Sequence, residues 1–253
     1  GSDQIARVVT DAANDFLASA GDRFSWSGIY FANPADAGLS AREIPINTPA
    51  GAASAWLIEG EEDCSTWAIH IHGLGSTRAG TLRGAQVAAE KGYTSLVISY
   101  RNDGEGPRFG TGRSMLGFTE AEDAVAAVDY AIQNGAQRIV LFGWSMGAAI
   151  ALRVASRARE RGVIVGLVLD SPVLDWVGVS KANCARSGLP AAAGYLATPW
   201  LMLGWLARMV GLPGSIPLGE LDWVQRTEEL TVPTLTLHGA RDDSAPISVS
   251  KAL

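Results

Sequence analysis

The chain has 253 residues, 47% of them hydrophobic, and a formal net charge of −6, which is typical of one globular domain of ordinary composition. The negative charge argues against the basic face that nucleic-acid binding requires, so no nucleic-acid partner is predicted. The most apolar stretch, residues 200–210, is too short to cross a bilayer and contains Gly204 and Arg208, so no stable membrane insertion is predicted.

Residues 3–20 are polar and amphipathic, without the apolar region of a secretory signal, and predict a helix. The two cysteines, Cys64 and Cys184, provide no disulfide framework, and we expect them to lie far apart. A reducing, cytoplasmic location is therefore the expectation.

Seven segments carry strand-like patterns. Residues 43–47 and 54–59 alternate between apolar and polar side chains, as a half-buried antiparallel pair does. Continuous runs rich in Val, Ile and Leu follow, as in parallel strands covered on both faces; they are residues 67–72, 94–100, 138–142, 163–170 and 232–238.

Helical periodicity occupies the segments between these runs, at 81–91, 119–134 and 146–161, and each segment is followed by a glycine. Glycine after the last helical residue is a common helix stop. The alternation of strands and helices predicts an α/β fold with a mostly parallel central sheet and helices on both faces. We expect residues 1–253 to form a single domain.

One stretch, residues 174–224, lacks a strand-like run and contains Trp176, Trp200, Trp205 and Trp223. An insertion of this length after a parallel strand is placed to form a helical cap over the carboxyl ends of the strands, with aromatic side chains lining a pocket. The alternative is additional helical packing without a role in binding.

The segment Gly143-Trp144-Ser145-Met146-Gly147 matches G-x-S-x-G and lies between an apolar strand and a helical segment. That context is the one in which this motif presents a nucleophilic serine on a tight turn. Ser145 also begins a helix, whose N-terminal partial positive charge favours a developing anion. Ser145 is therefore the predicted nucleophile.

A second motif, His72-Gly73-Leu74-Gly75, follows the run at 67–72. Attack on an acyl carbon produces an oxyanion, which needs preset N–H donors. The backbone N–H groups of Leu74 and Met146 are the predicted donors, because such loops and the residue after the nucleophile supply them. His72 is predicted to be structural.

Together with the strand 232–238 and the following Gly239-Ala240-Arg241-Asp242-Asp243-Ser244-Ala245-Pro246, these motifs resemble the α/β-hydrolase superfamily. Within it, the chain is similar to bacterial serine esterases and hydrolases of the monoacylglycerol-lipase and serine-aminopeptidase type. The resemblance implies an α/β-hydrolase fold and assigns the catalytic acid to Asp242. Asp243 and Asp170 are the alternative acids.

The family places its catalytic histidine after the acid, whereas the three histidines here are His70, His72 and His238. His70 is expected to be a packed or edge-facing strand residue, and His238 a structural one. The chain is therefore expected to be truncated, with its histidine beyond Leu253, which would leave the 253-residue form weakly active or inactive. A genuine pseudo-enzyme is the alternative.

The predicted function is hydrolysis of an ester-like acyl bond in a small molecule through a Ser-Asp-His triad. Gly73, Trp144 and Trp176 are the predicted substrate-binding residues. No metal or organic cofactor is predicted, because no His/Cys/Asp cluster has ligand spacing. The alternatives are a thioesterase or peptidase of the same fold and a non-catalytic binding or scaffold protein. The sequence carries no prediction of oligomeric state.

Overall fold

The computed structural model describes residues 30–157, 162–242 and 244–251. The helix predicted at 3–20 and the last four residues of the one predicted at 146–161 lie outside these ranges. The strands are β1 (Arg42–Thr48), β2 (Gly51–Ile58), β3 (Thr66–Ile71), β4 (Thr94–Ile98), β5 (Arg138–Trp144), β6 (Ile164–Asp170) and β7 (Thr234–Leu237). The α-helices are α1 (Leu82–Glu90), α2 (Glu120–Gln133), α3 (Met146–Arg157), α4 (Trp176–Arg186), α5 (Gly194–Met202), α6 (Gly204–Met209) and α7 (Ile247–Ser250).

The strands form one sheet in the order β1-β2-β4-β3-β5-β6-β7. The pairs β1–β2 and β2–β4 are antiparallel, and every other neighbouring pair is parallel. The predicted antiparallel pair followed by a parallel sheet is thus confirmed. The parallel strands bring their carboxyl ends to one edge, where the loops carrying the predicted site residues begin.

Helices cover both faces of the sheet. Along β3, Ile69 and Ile71 pack into a cluster with residues of α2 and α3, whereas Ala68 packs into a separate cluster with Ala88 of α1 and with Phe142. Because successive strand residues point to opposite faces, these clusters are the two sides of the sheet.

Four strand ends differ from the prediction at the site edge: β3 and β7 each end one residue early, and β4 and β5 differ by two residues. β4 ends at Ile98 rather than at residue 100, because the Tyr100 N–H donates to Asp103 Oδ2 at 2.9 Å and the chain turns there. β5 extends to Trp144, so the strand runs directly up to Ser145.

The segment between β6 and β7 contains α4, α5, α6 and short 3₁₀ turns and forms no strand, as predicted. Asp175 begins α4 by accepting hydrogen bonds from the N–H groups of Val177 and Gly178 at 2.8 and 2.9 Å. The segment closes at its base where the Trp223 N–H donates to the Leu174 carbonyl at 2.8 Å. Within the described ranges, no helix combines the length and the apolar character needed to cross a bilayer.

The four tryptophans of this segment divide into two pairs. Trp176 and Trp223 are buried in the main core, and Trp200 and Trp205 are exposed. The aromatic residues therefore do not form one common lining. Both cysteines are free, with Cys64 before β3 and Cys184 on α4.

Candidate active site

Ser145 is the single residue between β5 and α3, and it has a left-handed backbone conformation with a φ of 53°. Non-glycine residues seldom adopt this conformation, and it is held only where neighbouring structure enforces it. Here the Ser145 N–H donates to the Asp170 carbonyl at 2.9 Å, and the Ser145 carbonyl accepts from the N–H of Val173 at 3.2 Å. The ends of β5 and β6 thus fix the turn that presents the serine.

Close approach of two backbones explains the glycine after the serine. A Cβ at Gly147 would overlap the carbonyl oxygen of Ile71 at the end of β3. The start of α3 can therefore lie against β3 only with glycine at this position.

The predicted oxyanion loop lies beside the serine. A Cβ at Gly73 would be 3.1 Å from Ser145 Cβ and 3.7 Å from Ser145 Oγ. Leu74 follows with about half of its side chain exposed, 54%, and Gly75 has a φ of 72°. The predicted donor, the Leu74 N–H, thus belongs to the residue that follows the one lying against Ser145. The second predicted donor, the Met146 N–H, opens α3, where intrahelical partners are absent for the first N–H groups.

The orientation of the Leu74 N–H is fixed by the contacts of the Gly73 carbonyl, which belongs to the same peptide group. Gly73 C=O and Leu74 N–H belong to one planar trans peptide and point in opposite directions. His72 Nδ1 lies 2.9 Å from the Gly73 oxygen, and the Tyr100 hydroxyl donates to the carbonyl oxygens of His72 at 2.9 Å and Gly73 at 3.4 Å. Holding the carbonyl on that side directs the Leu74 N–H to the other.

His72 is itself held by Asp103. The distance between His72 Nε2 and Asp103 Oδ2 is 2.9 Å, and both side chains are 1% exposed. The His72 ring also stacks on Tyr100 with 4.3 Å between ring centroids. His72 is therefore structural, as predicted, and its position is directly under the oxyanion loop.

Asp103 binds four donors. Oδ1 accepts from the N–H groups of Glu105 and Gly106, and Oδ2 accepts from the Tyr100 N–H and from His72. Burial by itself raises the pKa of this carboxyl, but the hydrogen bonds from His72, Gly106 and Tyr100 outweigh it and leave the pKa below its ordinary value. Asp103, to which the sequence analysis gave no role, thus supports His72 beneath the predicted oxyanion loop.

The predicted acid, Asp242, lies in the loop after β7. Its Oδ1 accepts from the N–H groups of Ser244 and Ala245, both at 2.9 Å, and its side chain is 19% exposed. Oδ2 lies 3.6 Å from His238 Nε2, beyond hydrogen-bonding distance. Asp242 therefore shapes its own loop through one oxygen while the other is not bound to a backbone donor.

The alternative acid Asp170 ends β6, where its Oδ1 accepts from the Ser171 hydroxyl at 3.1 Å. Its backbone carbonyl holds the Ser145 N–H. The other alternative, Asp243, lies outside the described residues.

His238 and His70 have internal partners. His238 Nδ1 lies 2.7 Å from Ser250 Oγ, and Nε2 lies 2.8 Å from the Ala245 carbonyl. His70 is completely buried on β3, with Nε2 3.1 Å from Ser95 Oγ, and burial lowers its pKa to about 3. His70 is therefore a neutral, packed strand residue, one of the two placements predicted for it.

The two predicted substrate-binding tryptophans pack into the protein. The Trp144 ring contacts the ring of Phe142, at 6.3 Å between centroids, and occupies the space above Gly84 of α1. The Trp176 side chain is buried, and among the described residues its Nε1–H has no hydrogen-bond partner. Their contact with substrate stays a prediction. In the described part of the chain, no three His, Cys, Asp or Glu side chains gather as metal ligands.

The chain belongs to the α/β-hydrolase family, whose model matches residues 68–249. Among solved structures it is similar to the Pyrococcus furiosus esterase Pf2001, with a TM-score of 0.64 and 20% identity over 88% of this chain and 80% of the esterase. It is also similar to a Mycobacterium tuberculosis puromycin-hydrolyzing peptidase, with a TM-score of 0.63 and 18% identity over 85% of this chain and 33% of the peptidase. An esterase from Pyrobaculum calidifontis gives a TM-score of 0.59 and 16% identity over 85% and 72% of the two chains. No curated protein matches the chain significantly in sequence.

Proposed function

We propose that this protein is a serine hydrolase that cleaves an ester-like acyl bond in a small molecule, with Ser145 as the nucleophile. The observation that carries the proposal is the φ of 53° at Ser145, at a strand–helix junction and beside the Gly73 loop. A left-handed backbone conformation at a serine costs free energy. Such strain is typical of functional sites, and in the strand–turn–helix motif it presents the serine hydroxyl. Family membership supports a hydrolase.

In the proposed reaction, Ser145 Oγ bonds to the acyl carbon while its proton passes to a histidine. The N–H groups of Leu74 and Met146 stabilise the oxyanion. The histidine then protonates the departing alcohol, and water hydrolyses the acyl-enzyme by the same steps. No step uses a metal or organic cofactor.

The triad histidine is proposed to come from outside the 253 residues, and Asp242 to orient it. Support comes from the surroundings of the three histidines of the chain. His70 in β3 and His72 directly after it are buried, and both ring nitrogens of His238 face internal partners, so none of the three is placed to take the proton from Ser145. Within the described residues, Asp242 Oδ2 accepts no hydrogen bond and lies 3.6 Å from His238 Nε2, so it could accept from such a histidine. Residues 174–224 are proposed as the cap of a single domain.

Labelling with a fluorophosphonate probe tests the proposal. We would compare the 253-residue chain, the gene product extended past Leu253, and its Ser145→Ala variant. The matched control is Ser171→Ala, because Ser171 also has a positive φ, of 48°, at the end of a neighbouring strand.

We expect the extended protein to be labelled and to hydrolyse p-nitrophenyl esters, with both activities lost in Ser145→Ala and retained in Ser171→Ala. The 253-residue chain should be slower by orders of magnitude, because loss of a triad member leaves only oxyanion and binding effects. Absence of Ser145-dependent labelling in the extended protein would contradict the proposal and favour a non-catalytic binding protein. Faster cleavage of thioesters or aminoacyl anilides than of esters would instead indicate a thioesterase or a peptidase.

A further inference from the structure

Helices α5 and α6 expose a concentration of apolar side chains. Of the sixteen large hydrophobic residues that the described chain exposes, nine lie between Leu189 and Val210. We define the α5–α6 face as Tyr195, Leu196, Trp200, Leu203, Trp205 and Met209. Exposed apolar residues normally occur singly, and a concentration of them marks an interaction surface.

Helical spacing brings these side chains together. Leu196 and Trp200 are four residues apart on α5, and Trp205 and Met209 are four residues apart on α6, so each pair shares one helix face. Leu196 is 72% exposed, Trp205 65% and Met209 68%. Two aromatic rings and two flexible aliphatic chains thus face outward from neighbouring helices.

The charge around the face differs from that of the rest of the protein. Residues 176–219 contain Lys181, Arg186 and Arg208 but no Asp or Glu. The whole chain has a net charge of −6, so the remaining residues together carry −9. At the overall frequency of 26 acidic residues in 253, a segment of this length would contain about four.

The basic side chains border the apolar ones. Lys181 Nζ lies 3.2 Å from the Tyr195 hydroxyl and 4.9 Å from the centre of its ring. Arg208 is exposed beside Met209 on α6. Arg186 ends α4 and contacts Ser244 Oγ at 3.2 Å, next to the Asp242 loop.

We propose that the α5–α6 face docks peripherally on an anionic lipid surface. Exposed Trp, Leu and Met bordered by Lys181 and Arg208, in a segment whose sequence contains no acid, is the combination that binds membrane interfaces through apolar burial and attraction to anionic headgroups. A second copy of the chain fits less well, because symmetric pairing would bring together two faces of the same net positive charge. The proposal does not depend on catalysis.

Co-sedimentation with vesicles tests the proposal. The 253-residue chain would be mixed with vesicles of phosphatidylcholine and with vesicles of equal parts phosphatidylcholine and phosphatidylglycerol, at low and high salt. Leu196→Glu places an acid on the face, and Val87→Glu is its matched control, since Val87 is an exposed apolar residue of α1. Arg208→Gln removes one bordering charge.

We expect binding to the phosphatidylglycerol vesicles that weakens with salt, together with a blue shift of tryptophan fluorescence that Trp205→Phe reduces. Arg208→Gln should lower the partition coefficient about fivefold, the equivalent of about 1 kcal/mol per basic residue near the surface. Leu196→Glu should lower it at least tenfold, because an apolar contact is lost and an acid is introduced. Val87→Glu should leave it unchanged.

Three results would overturn the proposal. One is failure to bind phosphatidylglycerol vesicles. Another is equal loss of binding in Val87→Glu and Leu196→Glu. The third is a dimer in solution that Leu196→Glu dissociates, since this would make the face an interface between copies of the chain. None of these results bears on Ser145, so the proposed hydrolase function is tested separately.

Discussion

Replacement of Asp103 by asparagine removes one acceptor from a buried network without changing its shape. Oδ1 and Oδ2 of Asp103 each accept two hydrogen bonds. An asparagine must direct its NH₂ group at one of these two pairs of donors, whichever way the amide turns. When the NH₂ group faces the N–H groups of Glu105 and Gly106, one exposed and one partly buried donor lose their acceptor. Such a loss costs about 1–3 kcal/mol for a buried group and less for an exposed one, so the expected destabilisation is about 1–4 kcal/mol.

The destabilisation should depend on pH with a definite sign. The folded pKa of Asp103 is lowered, so its contribution is fully present above its unfolded pKa of about 4 and is lost as the pH falls toward the folded value. The difference between wild type and Asp103→Asn should therefore be constant from pH 5 to pH 7 and become smaller below about pH 4.

Guanidinium chloride unfolding followed by tryptophan fluorescence measures this difference. Asp222→Asn is the matched control, because Asp222 accepts from Gln225 N and Nε2 in an exposed turn and should cost less than about 1 kcal/mol. If Asp103→Asn is no less stable than this control at neutral pH, the hydrogen bonds of Asp103 do not stabilise the network under the predicted oxyanion loop.

Substitutions at three other positions test the site. Gly147→Ala should fold poorly, measured as loss of soluble protein or of about 3 kcal/mol or more in unfolding free energy, because its Cβ meets the β3 backbone. Gly73→Ala should fold but lower kcat at least tenfold in the extended protein, since the new methyl lies 3.1 Å from Ser145 Cβ. His72→Asn can place an amide donor near the position of Nδ1, facing the Gly73 carbonyl, whereas His72→Gln can place one near the position of Nε2, facing Asp103. Acylation by a p-nitrophenyl ester should therefore be faster in the Asn variant, with KM similar in both, and the reverse order would show that the bond to Asp103 matters more than the Gly73 carbonyl.

The strands and the turn at Ser145 could be predicted because their signals are largely local. Continuous apolar runs indicate strands covered on both faces, and Gly143 reflects a contact within the strand–turn–helix unit itself, although Gly147 also reflects the approach of α3 to β3. Boundaries that depend on a hydrogen bond from a side chain were missed, as at β4, where the Asp103 carboxylate accepts from the Tyr100 N–H and the strand ends early.

The His72–Asp103 pair was missed for a different reason. Its members are 31 residues apart and meet because β3 and β4 are adjacent parallel strands whose carboxyl ends lie together. The usable signal was an acid in the loop five residues past β4 and a histidine directly after β3. The division of the four inserted tryptophans into buried and exposed pairs depends on how α4–α6 pack, which no local pattern specifies.

Peptide mapping after fluorophosphonate treatment tests the central claim most directly. Trypsin releases residues 139–153, a peptide in which Ser145 is the only serine. The account predicts that this peptide from the extended protein carries the phosphonyl adduct, and that residues 162–181, which include Ser171, do not. An adduct on any other peptide, or an unmodified 139–153 peptide from protein that hydrolyses esters, would show that Ser145 is not the nucleophile.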